Sequence, residues 1–106
     1  MKIWIDDQID DKDTPHRHVP QGWIGAKTAL QACRYIKTGK VTDIDFDHDL
    51  GTDTNDRGGY IVALYIEKLA YNKMIPALQW RIHSANPVGR KNITQAMQSA
   101  ERFWNG

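Results

Sequence analysis

Apolar residues in this chain come in short runs that end abruptly in acid. Ile3, Trp4 and Ile5 form the first run and stop at Asp6-Asp7. Ile44 and Phe46 form a second, which leads into Asp47-His48-Asp49-Leu50-Gly51. Both runs have the length and flanks of short strands. Between them, residues 8 to 21 are polar, contain Pro15 and Pro20 and show no helical period. A stretch of about 14 residues without an element of its own is unusual in a compact domain, where it reads either as a functional segment or as a surface loop. Gly22–Gly25 is the next candidate strand. Thr28-x-x-Gln31 has the spacing of a capping box, in which hydroxyl and amide satisfy free N–H groups at a helix start. Leu30, Cys33 and Ile36 supply the apolar stripe of that helix, and Gly39 its stop.

Residues 51 to 58 are polar. Gly59–Tyr71 then reads as a helix with a wide apolar face of Ile61, Val62, Leu64, Tyr65, Ile66 and Leu69. Leu78, Trp80 and Ile82 alternate with Gln79, Arg81 and His83, the period of a strand with one wetter face and hence of an edge strand. Ile93, Ala96, Met97, Ala100 and Phe103/Trp104 recur at helical spacing after Pro87. Asp45 breaks the pattern, because a central parallel strand is normally apolar on both faces. The sequence offers no reason for it.

Strands alternating with helices imply right-handed crossovers and a parallel sheet. The expected architecture is a four-stranded parallel sheet of order 2-1-3-4 with helices on both faces, a truncated flavodoxin-like three-layer α/β fold. With 106 residues the chain makes one domain, residues 1–106. Its 41% hydrophobic and 25% charged residues fit an ordinary globular composition. The formal net charge of +1 excludes nucleic-acid binding by bulk charge, leaving only a local basic patch. A single cysteine, Cys33, cannot form an intramolecular disulfide, and its place on an apolar stripe makes it a core residue. No run approaches the roughly 20 apolar residues of a membrane helix, and no leader-like segment precedes Asp6. A cytoplasmic protein is expected, with no membrane partner.

If the two acid-tipped strands are neighbours, Asp6, Asp7 and Asp47 meet at the carboxyl edge of the sheet, where open α/β folds bind ligands. Clustered carboxylates repel unless a cation joins them, and oxygen ligands suit magnesium, calcium or manganese, of which Mg²⁺ or Mn²⁺ is the expected cofactor. The competing explanation is Asp acting in caps and turns. A second constellation is His83-Ser84-Ala85-Asn86-Pro87-Val88-Gly89-Arg90-Lys91. Asn86 is an N-cap and Pro87 a first helical residue, both explicable as structure. Arg90 and Lys91 oppose the helix dipole in the first turn, which an anion bound there would relieve. Ser84, Asn86, Gly89, Arg90 and Lys91 are thus candidate phosphate ligands, against the alternative of solvated surface cations. His48 and His83 each follow a strand and are candidates for acid–base work beside the acids.

Asp6-Asp7 after the first strand and Asp47 after a central one resemble the receiver domains of two-component signalling. There the acidic pair binds magnesium and the central aspartate accepts a phosphoryl group, and Ser84 matches the Ser/Thr that contacts it. The pair of motifs Asp47-His48-Asp49-Leu50-Gly51 and His83-Ser84-Ala85-Asn86-Pro87-Val88-Gly89 looks like the receiver-like family called the cyclic-phosphate-processing receiver domain. The similarity runs from Lys2 to the last helix. A fifth strand with its phosphoryl-contacting lysine is missing from the pattern, and residues 8 to 21 stand where the first receiver helix would be. The resemblance therefore implies binding or processing of a cyclic phosphate, at an RNA end or in a cyclic nucleotide, rather than a phosphorylation switch. It implies Asp6, Asp7, Asp47 and Asp49 as ligands for Mg²⁺ or Mn²⁺, and Asp47, His48, His83 and Ser84 as the reacting set. Two non-enzymatic readings stand beside it: a nucleotide-binding module, and a degenerate receiver that binds proteins.

Overall fold

A computed structural model describes residues 1–6, 19–46, 58–83 and 87–106. The elements are β1 (Lys2–Ile5), β2 (Ile24–Ala26), α1 (Ala29–Lys37), β3 (Asp43–Phe46), α2 (Gly58–Tyr71), β4 (Gln79–Ile82) and α3 (Pro87–Asn105). All strand pairs are parallel and their order is β2-β1-β3-β4, the expected topology. Of the candidate residues, Asp7, Asp47, His48, Asp49, Ser84 and Asn86 lie outside the described residues, as do residues 8–18 and 51–57.

Register decides what each face of the sheet carries. Ile3 stands opposite Ile24 and Ile44, and Ile5 opposite Ala26 and Phe46. Side chains alternate along a strand, so these residues share one face. Ile3, Ile5, Ala26, Ile44 and Phe46 are all fully buried there. At roughly 1.5–3 kcal/mol for each large apolar side chain, this face dominates the favourable side of folding.

The crossovers from β2 to β3 and from β3 to β4 run in the same direction across the sheet. Right-handed connections then place α1 and α2 on the same face. Accordingly α2 packs against both α1 and α3. Among the described residues the three helices form one layer, and the four-stranded parallel sheet of order 2-1-3-4 with its helices is the receiver-like α/β fold expected. The second face carries Lys2, Trp4, Asp6, Asp43, Asp45, Arg81 and His83, and no described helix covers it.

Local sequence accounts for the helices. Thr28 Oγ1 accepts from Gln31 N–H at 3.1 Å, and Gln31 Oε1 accepts from Lys27 N–H at 2.9 Å. The reciprocal cap forms as expected, with the return bond shifted one residue upstream. Gly39 has φ 76°, the left-handed turn that ends α1. The buried face of α1 is Ala32 and Ile36, with Cys33 half-buried and Leu30 exposed, so the stripe lies one step round from the expected one. In α2 the outward side of the wide apolar face leaves Ile61 and Leu64 exposed. Gly89, Ile93, Ala96, Met97 and Ala100 are the buried seam of α3. No helix among the described residues is long and apolar enough to cross a membrane.

Candidate functional site

Asp45 is the centre of this second face, over which no described helix lies. It sits in β3 opposite Trp4 of β1 and Arg81 of β4, and is only 2% exposed. A carboxylate buried this deeply needs compensating donors. Asp45 has two: Oδ2 accepts from Arg81 Nε, and Oδ1 meets His83 Nδ1. His83 lies two residues beyond Arg81 and therefore on the same face. Its own N–H donates to Phe46 O at 2.9 Å, which carries the parallel ladder one residue past β4.

The carboxylate can only accept, so His83 Nδ1 carries the proton. In the neutral ring Nε2 then has a free lone pair. Nε2 is buried and makes no hydrogen bond among the described residues, and Asp6 Oδ2 stands 3.8 Å from it. Asp6 is 1% exposed, fixed at the carboxyl end of β1 by its N–H to Ala26 O at 3.1 Å. Trp4 stacks on the imidazole, with centroids 4.3 Å apart and planes 10° from parallel. Trp4 Nε1 is likewise buried without a hydrogen-bond partner. Trp23, just before β2, meets Trp4 edge-on at 5.9 Å. One imidazole is thus oriented by a buried acid, clamped by an indole and faced by a second acid.

The profile of the cyclic-phosphate processing receiver domain matches residues 1–99. The chain belongs to that family. No curated protein and no solved structure matches it significantly. The family match covers every strand, and the fold is the receiver-like sheet of a family associated with cyclic-phosphate processing.

Within this receiver domain the sequence-predicted residues separate. Asp6 and His83 come together at the carboxyl edge, on neighbouring sides of β3. Asp6 is the one described member of the candidate metal set. Among the described residues no group of three acid, histidine or cysteine side chains is placed to hold a metal ion. Of the candidate phosphate ligands, Gly89 is buried in the first turn of α3 while Arg90 and Lys91 are exposed. Arg90 Nη1 donates to Ile82 O at 3.3 Å, so it also ties α3 to the end of β4.

Sequence reasoning missed Asp45, Arg81 and Trp4. A signal was present. The alternation Gln79-Arg81-His83 puts a cation and an imidazole on one face of the edge strand, and Asp45 is the acid that matches both. What the sequence lacked was the register that sets Asp45 opposite Arg81.

Proposed function

We propose that this receiver domain binds and hydrolytically opens a cyclic phosphate, of an RNA end or a cyclic nucleotide, with His83 as the proton-handling group. The observation that carries the reading is the fixed imidazole: Nδ1 on Asp45, ring on Trp4, Nε2 buried beside Asp6. A buried nitrogen without a partner calls for an explanation, and a catalytic role is one. Here one nitrogen is prepared and the other is left for a reactant.

In the proposed reaction, water adds to phosphorus while its proton passes to His83 Nε2. One ring P–O bond breaks, and the departing oxygen takes a proton from His48 or from solvent, leaving a phosphomonoester. Asp45 fixes the tautomer and stabilises the imidazolium as it forms, and Trp4 holds the ring plane. General-base assistance of this kind contributes about 10²–10⁴-fold. The buried carboxylate of Asp6 is a hard oxygen donor at the correct edge. A Mg²⁺ or Mn²⁺ ion held by Asp6 with Asp7, Asp47 and Asp49 would supply charge neutralisation at the phosphoryl oxygens. Ser84, Asn86, Gly89, Arg90 and Lys91 are the proposed anion ligands at the start of α3. The proposed setting is the cytoplasm, where Cys33 stays reduced.

The test is turnover of uridine 2′,3′-cyclic monophosphate and of oligouridylate ending in a 2′,3′-cyclic phosphate, with and without Mg²⁺ or Mn²⁺. Wild type should open the ring in the presence of metal. His83→Gln should remain folded and lose about 10²–10⁴-fold. Absence of ring opening by wild type with either metal would refute the enzyme reading, and binding without turnover would identify a nucleotide-binding module instead.

A further inference from the structure

The same face of the sheet holds a second feature that ring opening does not use. A groove of about 280 Å³ lies across β1, β3 and β4, bordered by Lys2, Trp23, Asp43, Gln79 and Arg81. Trp23 is its aromatic wall. Arg81 Cζ lies 5.0 Å from the centroid of that indole, and Lys2 Nζ 5.8 Å from it. Two cations from strands on opposite sides of β3 therefore converge on one ring. The Arg81 side chain is 63% exposed, yet its Nε is pinned by buried Asp45. That bond uses Nε alone, so the two η-nitrogens remain as outward donors in a fixed plane. Planar forks of this kind suit phosphate oxygens. The groove's acid, Asp43, accepts from Thr42 Oγ1 at 2.8 Å.

Arg81 and His83 touch the same carboxylate and stand two residues apart on one strand face, roughly 7 Å along β4. That separation is of the order of one nucleotide step. The groove is thus tied to the candidate site by Arg81 and His83, which share the Asp45 carboxylate.

We infer that Lys2, Trp23 and Arg81 form a subsite for the backbone phosphate next to the terminal nucleotide of a single-stranded RNA. The preferred substrate is then an RNA end rather than a free cyclic nucleotide. The inference rests on the cyclic-phosphate reading above and narrows its substrate class. RNA is required because a five-membered cyclic phosphate at a strand end needs a 2′-hydroxyl. Cations flanking an aromatic wall are the recurrent chemistry of sequence-tolerant single-strand binding. With a net charge of +1 the domain gains little from bulk attraction, so its salt dependence comes from a few local contacts.

The experiment compares binding of two probes: fluorescent oligouridylate ending in a 2′,3′-cyclic phosphate, and uridine 2′,3′-cyclic monophosphate. Proteins are wild type, Lys2→Gln and Arg81→Gln, each over a salt series. Wild type should prefer the oligomer. Each substitution should reduce that preference about two- to five-fold, the scale of one exposed charge contact. Each should also lower the oligomer's salt slope by about 0.7, the value for one single-strand phosphate. Lys2 is exposed at the start of β1, so Lys2→Gln keeps the test decisive if Arg81→Gln fails to fold. Equal affinity of wild type for the two probes, or loss of both in parallel in the variants, would overturn the subsite. Ring opening of the mononucleotide could still proceed in that case, leaving the functional reading intact. Conversely, oligouridylate with a plain 3′-hydroxyl should still bind through Lys2 and Arg81. If it does so while no cyclic end is ever opened, the subsite stands and the enzyme reading falls.

Discussion

Replacing Asp45 by asparagine separates the two jobs of that side chain. The shape is kept, but one of two acceptors becomes an NH₂ donor. The partners differ in what they lose. Arg81 is 63% exposed at its side chain, so its bond is screened and falls on the surface scale, below about 1 kcal/mol. His83 is 25% exposed, and its bond to a carboxylate belongs to the charge-assisted class of about 1.5–3 kcal/mol. Asparagine therefore keeps Arg81 on its oxygen and presents NH₂ to His83 Nδ1. Two facing donors are relieved when the imidazole proton moves to Nε2, leaving a neutral hydrogen bond of about 0.5–1.5 kcal/mol. The net loss is about 1–2 kcal/mol, small against a domain stability of about 5–15 kcal/mol. Asp45→Asn should fold, with its melting temperature lowered by about 5–15 °C. Its chemistry should fail, because Nε2–H cannot accept a proton from water. An inverted tautomer of this kind costs of the order of 10⁴-fold in a serine protease. The assays are ring-opening rate and imidazole ¹⁵N shifts. Wild-type ¹⁵N shifts in Asp45→Asn, or a wild-type rate with the inverted tautomer, would refute the reasoning.

Thr28→Ala should lose about 1 kcal/mol in urea denaturation, because it removes the acceptor for Gln31 N–H; no loss would mean that the cap is replaced by water. Arg90→Ala with Lys91→Ala should change stability by less than about 0.5 kcal/mol, since relief of the helix dipole offsets an exposed bond to Ile82 O. The same pair should weaken binding of inorganic phosphate, and unchanged phosphate affinity would reduce both to surface cations. Burial raises the Cys33 thiol above its ordinary pKa. At pH 8 less of it is thiolate, so it should react with a disulfide reagent more slowly than in the urea-unfolded chain, and equal rates would place it in solvent.

The sequence by itself determined the elements and their order. Period-two and helical spacing depend only on neighbours a few residues apart, so the strands at Ile3–Ile5, Ile44–Phe46 and Leu78–Ile82 were legible, with the Thr28 cap and the helix from Pro87. The alternation of strands and helices pointed to a parallel sheet, and the flavodoxin-like arrangement to the order found. The acid-tipped first strand and His83 were legible as chemistry for the same local reason. The meaning of Asp45 was decided only by the tertiary structure. Three strands far apart in the chain had to align in register before Trp4, Asp45 and Arg81 stood in one row, with His83 reaching back to the same carboxylate. The side of the sheet left without a described helix was a second such decision, since it follows from the direction of successive crossovers rather than from any one segment. A buried acid in an apolar strand is a contradiction when read along the chain. It becomes a hydrogen-bonded centre only when the neighbouring strands supply its donors, because burial of charge is compensated by partners that sequence distance does not reveal.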